Sequence, residues 1–448
     1  MGQTIVVGGG PIGIFCGIAL ARRGHEVLLV DRDPGPAPSG DWKRLGVMQF
    51  MHPHFFRPQV VQSLQEEMPD VWESILAAGG EARQLPGAPP GVTGLACRRW
   101  VLERTLRAAA AREPGLVTVV GHADRIVVEK GVVRGVQVDG GIVEADLVIS
   151  VTGRASPLGH ELRGEHEGGM CGLGYVSRMY RDRAGRLAED LPAPSWITSF
   201  GYGTLAIPQD DNTLSVLFTA PMTDPALAGI RGNVGFQAGA QAVPNLVRWT
   251  DPDRFEPITD VLVGGGLTNT YFPQGPEPGV PPAVGLFFGG DAVCTTNPAA
   301  GRGVGLGLLG ARRLLSLLDD RSIALDDASR ALDAWCEEQL RPWFADHVYW
   351  DATLLQRYAG NDLDLDAQIP SDVICAAGEA LPEIMPAVGL YLGMVTGPDI
   401  LRTVEDDVRA LLKSGWRPPY DGPTAGELAD IVNRALAAAD PASSLEPA

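Results

Sequence analysis

"TIVVGGGPIGIFCGIALARRGHEVLLVD", Thr4 to Asp31, packs strand, glycine turn, helix and strand into one continuous stretch. A short apolar run over 4–8 reads as a buried strand, residues 11–24 carry helical spacing through Ile14, Ile18 and Ala21, and "EVLLVD" is a second strand ending at Asp31. Three glycines sit where strand turns into helix, each with a separate physical task. Gly8 permits the tight turn, Gly10 lets backbone approach a pyrophosphate, and Gly13 lets helix and strand pack closely. The pyrophosphate would then face a helix N-terminus, where free N–H groups and the helix dipole favour anions. Asp31 closes the unit, with a carboxylate able to accept from both ribose hydroxyls, and Arg32 follows it. The stretch predicts a βαβ dinucleotide-binding opening.

Outward from this unit, the chain has 448 residues, 45% of them hydrophobic and 20% charged, the profile of a globular protein of two or three domains. The net charge of −19 argues against nucleic acid and anionic membrane as partners. Six scattered cysteines without a C-x-x-C pair suggest a reduced compartment. No signal-peptide layout opens the chain. Its longest uncharged apolar stretch, "IMPAVGLYLGMVTG" (384–397), is too short and too broken to span a bilayer and reads as a buried helix lining a pocket. The expectation is a cytoplasmic protein without membrane contact.

"RRWVLERTLRAAAARE" (98–113) is a strong amphipathic helix, and "LVTVV", "DRIVVEK", "VVRGVQVD" and "ADLVISV" are strands. Strand-like segments dominate 172–276, with a hairpin crossing at Asp210 to Asn212. "VGLFFGGDA" is a further strand before a helix from about 298 to 318, and residues after 325 read as helices and loops. A helix break is expected at Pro342, and the last dozen residues are expected to fray.

Three segments carry a resemblance. The extended spacing of 4–31 resembles the FAD fingerprint of glutathione-reductase-type flavoproteins. "GGDAVCTTNPAAGRGVGLGLLGARRLL" resembles the second FAD motif of p-hydroxybenzoate hydroxylase-like enzymes, and "RRWVLERTL" their R-x-x-L-x-x-x-L helix. The resemblance covers roughly residues 1–325. It implies that Asp291 accepts from a ribityl hydroxyl, that Pro298 lies beside the isoalloxazine, and that Gly301, Gly303 and Val304 open a helix towards the flavin's pyrimidine end. It also places Arg99 on the cofactor, and Lys43 and Arg44 near its phosphates.

The match departs at Thr152 to Gly159, "TGRASPLG", where the hydroxylases carry D-G-x-x-S-x-x-R. The "TGR-x-S" form is more similar to geranylgeranyl-reductase and flavin-halogenase relatives, and "NPAAGRGV" is similar to the N-P-x-x-G-x-G of the reductase branch. Direct handling of NADPH or NADH therefore stands beside supply of electrons by a partner flavin reductase. The halogenase W-x-W-x-I-P is reduced here to "GTLAIP" (203–208), and three lysines leave little choice for that family's active-site lysine.

The resemblance implies an α/β fold: a Rossmann-like FAD-binding domain of the glutathione-reductase type, a β-sheet substrate domain and a C-terminal helical region. Expected boundaries are 1–160 for the first FAD-binding part, with a substrate-domain excursion near 70–97. The β-rich substrate domain follows over 161–282, the return to the FAD domain over 283–325, and the helical region over 326–448. The implied function is a FAD-dependent monooxygenase that activates oxygen at the flavin C(4a) and oxygenates a small organic, apolar or aromatic substrate. Hydride transfer at flavin N5, in a desaturase or reductase, is the alternative, ahead of halogenation. Tyr175, Trp196, Phe200, Tyr202, Phe218 and Tyr271 are candidate pocket aromatics, each on its own read more readily as ordinary core than as substrate contact. A monomer or homodimer is expected.

"GVMQFMHPHFFRP" (46–58) places His52 and His54 one residue apart. A metal site would need further ligands, and no His or Cys cluster offers them, so none is expected. Two readings remain open: imidazoles that hold an irregular loop, or catalytic groups in proton transfer or substrate contact.

Overall fold

The computed structural model describes the chain except residues 1–2, 41, 45, 86, 188–194, 199–200, 226, 421 and 440–448. At its centre is a five-stranded parallel sheet. The strand Gln3–Val7 pairs on one side with Glu26–Asp31 and on the other with Leu147–Ser150. Leu286–Phe288 and Leu116–Val120 form the two edges. The inner strands are apolar along most of their length because both faces are covered. Helices Pro11–Arg22, Arg99–Ala110 and Gly303–Asp319 pack together on one side. On the other, a three-stranded antiparallel sheet (Ala123–Glu129, Val132–Val138, Gly141–Glu144) joins the main sheet through a bridge between Val132 and Val284.

A second, antiparallel sheet is built on Leu173–Asp182, Ser195–Thr198, Gly203–Pro208 and Thr213–Pro221, with the short strands Phe255–Pro257 and Leu262–Gly264. The expected hairpin is there. Asp211 and Asn212 both adopt positive φ, 54° and 53°, as a two-residue turn with the right-handed strand twist requires. Strands dominate 172–276 as expected, and the segment also holds two helices that the sequence reading did not name, Asn233–Ala242 and Pro244–Val247. The first packs Phe236 and Ala240 under this sheet, where Leu428 and Val432 of the helix Ala425–Ala439 join them in a second core.

The C-terminal region is helical and breaks at Leu340, so that Leu325–Gln339 and Arg341–Tyr358 are separate helices with Pro342 in the first turn of the second. "IMPAVGLYLGMVTG" forms the helix Met385–Leu392, whose Tyr391 and Leu392 line a cleft. No helix among the described residues is long and apolar enough to cross a membrane. Trp196's side chain, Phe200 and residues 440–448, which hold most of the stretch expected to fray, lie outside the described residues.

Candidate functional site

Two helix N-termini open onto one cleft of about 830 Å³. The first helix starts after Gly10 and the second after Arg302, and in neither does a side chain cap the free N–H groups. Gly10, Pro11 and Ile12 line the cleft from one helix, and Gly301, Arg302, Gly303 and Val304 from the other. Two uncapped positive helix ends in one cavity suit an anionic, acceptor-rich ligand.

The glycines build this geometry. Gly8 has a φ of 109°, and a Cβ there would collide with the Val151 carbonyl. A Cβ on Gly13 would collide with the Gly8 carbonyl oxygen, which fixes how closely helix and strand meet. Gly10 differs: nothing lies within 4 Å of where its Cβ would be. Its missing side chain therefore leaves a cradle open to the cleft.

Asp31, at the end of its strand, is buried among cations. Its Oδ2 accepts from Arg44 Nη2 at 2.6 Å and from Arg107 Nη2 at 3.2 Å, and Oδ1 accepts from the Asp33 N–H at 3.0 Å. A carboxylate offers about four acceptor positions, so one remains for a ligand hydroxyl. Arg44 also bonds Glu103, a fully buried carboxylate that takes a second bond, at 2.6 Å, from Arg99 Nε. Arg32 and Arg99 line the cleft. Lys43 is exposed and does not line it. Neither Arg107 nor Glu103 stood out in the sequence, since both read as ordinary positions on an amphipathic helix.

The opposite wall follows the strand Leu286–Phe288. Asp291 opens onto the cleft yet is hemmed in by protein, and this desolvation raises its pKa against the pull of Arg99 and Arg154. Pro298–Ala300 forms a 3₁₀ turn, and the helix begins at Gly303 rather than near 298. The reason is Gly301, whose φ of 63° interrupts helical geometry. Thr152, Gly153 and Arg154 of the departing "TGR" segment also line the cleft.

The cleft continues into an apolar lobe against the second sheet, formed by Phe55, Leu85, Leu205, Ile207 and Leu217 with Tyr175. Tyr202, Phe218 and Tyr271 are buried away from it, in core clusters. Trp350, from the helix Arg341–Tyr358, lines the cleft without any prior signal in the sequence.

His52 and His54 stand between these two parts and line the cleft. His52 Nδ1 shares a 2.7 Å hydrogen bond with Ser177 Oγ, and its ring meets Tyr175 edge-on at 4.6 Å. His54 Nδ1 bonds the His52 carbonyl oxygen at 2.8 Å, and its ring stacks on Phe56 at 5.4 Å. Burial pushes the His52 pKa down to about 4, and burial with Arg99 nearby pushes that of His54 down to about 3. Both rings are neutral at pH 7. Among the described residues no group of three His, Cys, Asp or Glu is placed to hold a metal ion.

The residues present fit FAD: an open glycine cradle at a helix N-terminus, an acidic strand end, a second uncapped helix and an adjoining apolar lobe. The comparisons agree for the opening segment and for the fold. Residues 3–116 match the family model "FAD dependent oxidoreductase". A D-amino acid dehydrogenase of Sinorhizobium medicae (strain WSM419) is 42% identical over 48 residues, which take in 11% of this chain and only 12% of that protein. Among solved structures, the flavin-dependent brominase Bmp2 superposes with a TM-score of 0.59 at 15% identity, over 92% of this chain and 99% of that one. PqsL of Pseudomonas aeruginosa, described as a probable FAD-dependent monooxygenase, gives 0.60 at 15% identity over 80% and 98%. A 2-methyl-3-hydroxypyridine-5-carboxylic acid oxygenase gives 0.56 at 14% identity over 87% and 95%. The chain has the fold of the FAD-dependent oxidoreductases.

Proposed function

We propose that the chain is a FAD-dependent oxidoreductase of the monooxygenase type, acting on a small apolar or aromatic organic substrate. The observation that carries this reading is the continuity of the cleft: the cofactor half runs without a wall into the apolar lobe. Gly8, Gly10 and Gly13 with Asp31, Arg32 and Arg44 hold the adenosine and pyrophosphate side. Arg99, Asp291, Pro298, Gly301, Gly303 and Val304 serve the ring side. The 161–282 sheet, with the antiparallel pair Glu81–Gln84 and Thr93–Ala96 from the 70–97 excursion, supplies the substrate half.

When bound, FAD supplies the redox chemistry and the activation of dioxygen. The net reaction consumes O₂, two electrons and two protons, places one oxygen atom on the substrate and releases the other as water. NADPH or NADH is the electron source, directly or through a partner flavin reductase. Leu205, Ile207, Leu217 and Phe55 exclude water from the reacting centre. Neutral His54 has its Nδ1 proton committed to a backbone carbonyl, so Nε2 carries the lone pair and can accept a hydrogen bond from the substrate. His52, tied to Ser177, orients that carbonyl.

Hydride transfer without oxygen insertion is the second reading, favoured by the "TGR" segment and by the short likeness to a dehydrogenase. Anaerobic reduction by NADH and NADPH, with and without a generic flavin reductase, followed by ¹⁸O₂ and a substrate panel, separates the two. Labelled oxygen in the product supports the monooxygenase. Substrate turnover with no label in the product supports hydride transfer, and protein that binds no FAD defeats both.

A further inference from the structure

The turn at 297–301 is held from behind by a closed hydrogen-bond circuit. The backbone N–H of Asn297 donates to Asn269 Oδ1 at 2.6 Å, and the Ala299 N–H donates to Asn297 Oδ1 at 3.0 Å. Backbone donors therefore fix which way both side-chain amides face, and each must present its NH₂ group elsewhere. Both present it to one carboxylate: Asn269 Nδ2 donates to Asp351 Oδ2 at 2.7 Å and Asn297 Nδ2 to Asp351 Oδ1 at 2.9 Å. All three side chains are at least 97% buried. Asp351 and Asn269 do not line the cleft, whereas Asn297, Pro298, Ala299 and Ala300 do.

Asp351 belongs to the helix Arg341–Tyr358, outside the stretch that carries the cofactor motifs. The same helix reaches the turn's far end, where Arg302, buried under the cleft, pairs with Asp346 at 3.1 Å. From the other side Arg57 Nε donates to the Ala300 carbonyl at 2.9 Å. The turn is thus pinned at 297, 300 and 302, twice by the C-terminal helix.

We propose that Asp351 is a positioning residue: through Asn297 and Asn269 it sets the Pro298–Ala300 turn, and the C-terminal helix is part of the cofactor site. This rests on the reading of the cleft as an FAD site. A carboxylate is required here because only it can accept from two amides that are already oriented. An asparagine at 351 would set NH₂ against NH₂ on one side.

The test uses the full chain with FAD removed and added back, comparing wild type, Asp351→Asn, and the swap carrying both Asn297→Asp and Asp351→Asn. The swap restores every donor–acceptor pair: the new carboxylate at 297 still accepts from Ala299, and the new amide at 351 donates to it while accepting from Asn269. FAD affinity by calorimetry is expected to fall about tenfold in Asp351→Asn and to recover in the swap. The midpoint potential of bound flavin should move positive in the single variant, which has lost a negative charge near the site. Wild-type affinity and potential in Asp351→Asn, even with a lowered melting temperature, would overturn the inference. So would a swap that folds but binds FAD no better than the single variant, or one that cannot fold. Failure of the wild type itself to bind FAD would instead overturn the proposed function.

Discussion

His54 donates its Nδ1 proton to the carbonyl oxygen of His52, 2.8 Å away, so the backbone of one histidine sets the tautomer of the other. The H-x-H spacing that suggests a metal pair in sequence gives instead a neutral imidazole with its Nε2 lone pair free for the cleft. Asparagine at 54 keeps a donor near the Nδ1 position and removes that lone pair. His54→Asn should lower kcat about tenfold, the worth of one hydrogen bond to the substrate, while FAD affinity changes by no more than about threefold. Steady-state kinetics and FAD titration check this, and an unchanged kcat would return His54 to a purely structural role.

The buried histidines make the fold acid-sensitive. His52 has a folded pKa of about 4 against an ordinary 6.5, so the unfolded chain binds the proton more readily. Its contribution is present above pH 6.5 and is lost as pH falls towards 4, about 3 kcal/mol in all. Between pH 7 and pH 5 the wild type should lose about 2 kcal/mol more than His52→Gln in urea unfolding. Parallel losses in the two proteins would contradict the depressed pKa.

Gly10 and Gly13 should separate binding from folding. A Cβ at Gly13 collides with the Gly8 carbonyl, so Gly13→Ala should destabilise the protein by about 1–3 kcal/mol. Gly10 has an ordinary φ of −76° and open space, so Gly10→Ala should leave stability within about 0.5 kcal/mol. The same methyl projects into the cleft, and FAD affinity should drop tenfold or more, about 1.4 kcal/mol. Denaturant curves of the apo protein beside FAD titrations read both effects. A Gly10→Ala variant that binds FAD normally would remove the pyrophosphate from this turn.

Arg44 neutralises Asp31 and Glu103 at once, and its side chain is 6% exposed. Arg44→Met leaves Asp31 to Arg107 and Glu103 to Arg99. Removal of one partner from a buried ion cluster should cost about 3 kcal/mol and weaken FAD binding. Lys43→Met, at an exposed position outside the cleft, should do neither, and matched thermal melts with FAD titration distinguish the two neighbours.

Much of this site was legible because its parts are local. Strand, glycine turn, helix and Asp31 lie within 28 consecutive residues, and the turn from 290 to 304 is again one continuous stretch. Local geometry there follows from residue type: glycine where φ is positive or a Cβ would collide, and proline at a turn's start. The two helices inside 233–247 were not legible beside strongly patterned strands, because short helices and short strands share the same apolar spacing. Asp351 gave no signal at all. An aspartate in an amphipathic helix reads as solvated until tertiary structure buries it against two asparagines 54 and 82 residues away.

Residue pattern alone was enough for the βαβ opening and for the apolar strand at Leu286, since these rest on backbone sterics and burial within a few residues. Packing between distant segments brings both N-termini onto one cleft, extends it along the 173–221 strands as an apolar lobe, and holds His54 in one tautomer. It also brings the C-terminal helix behind the Pro298 turn. The physical reason is that burial and hydrogen-bond pairing between distant segments are set by how sheets and helices pack, and the character of a carboxylate or an imidazole changes with the partners that packing provides.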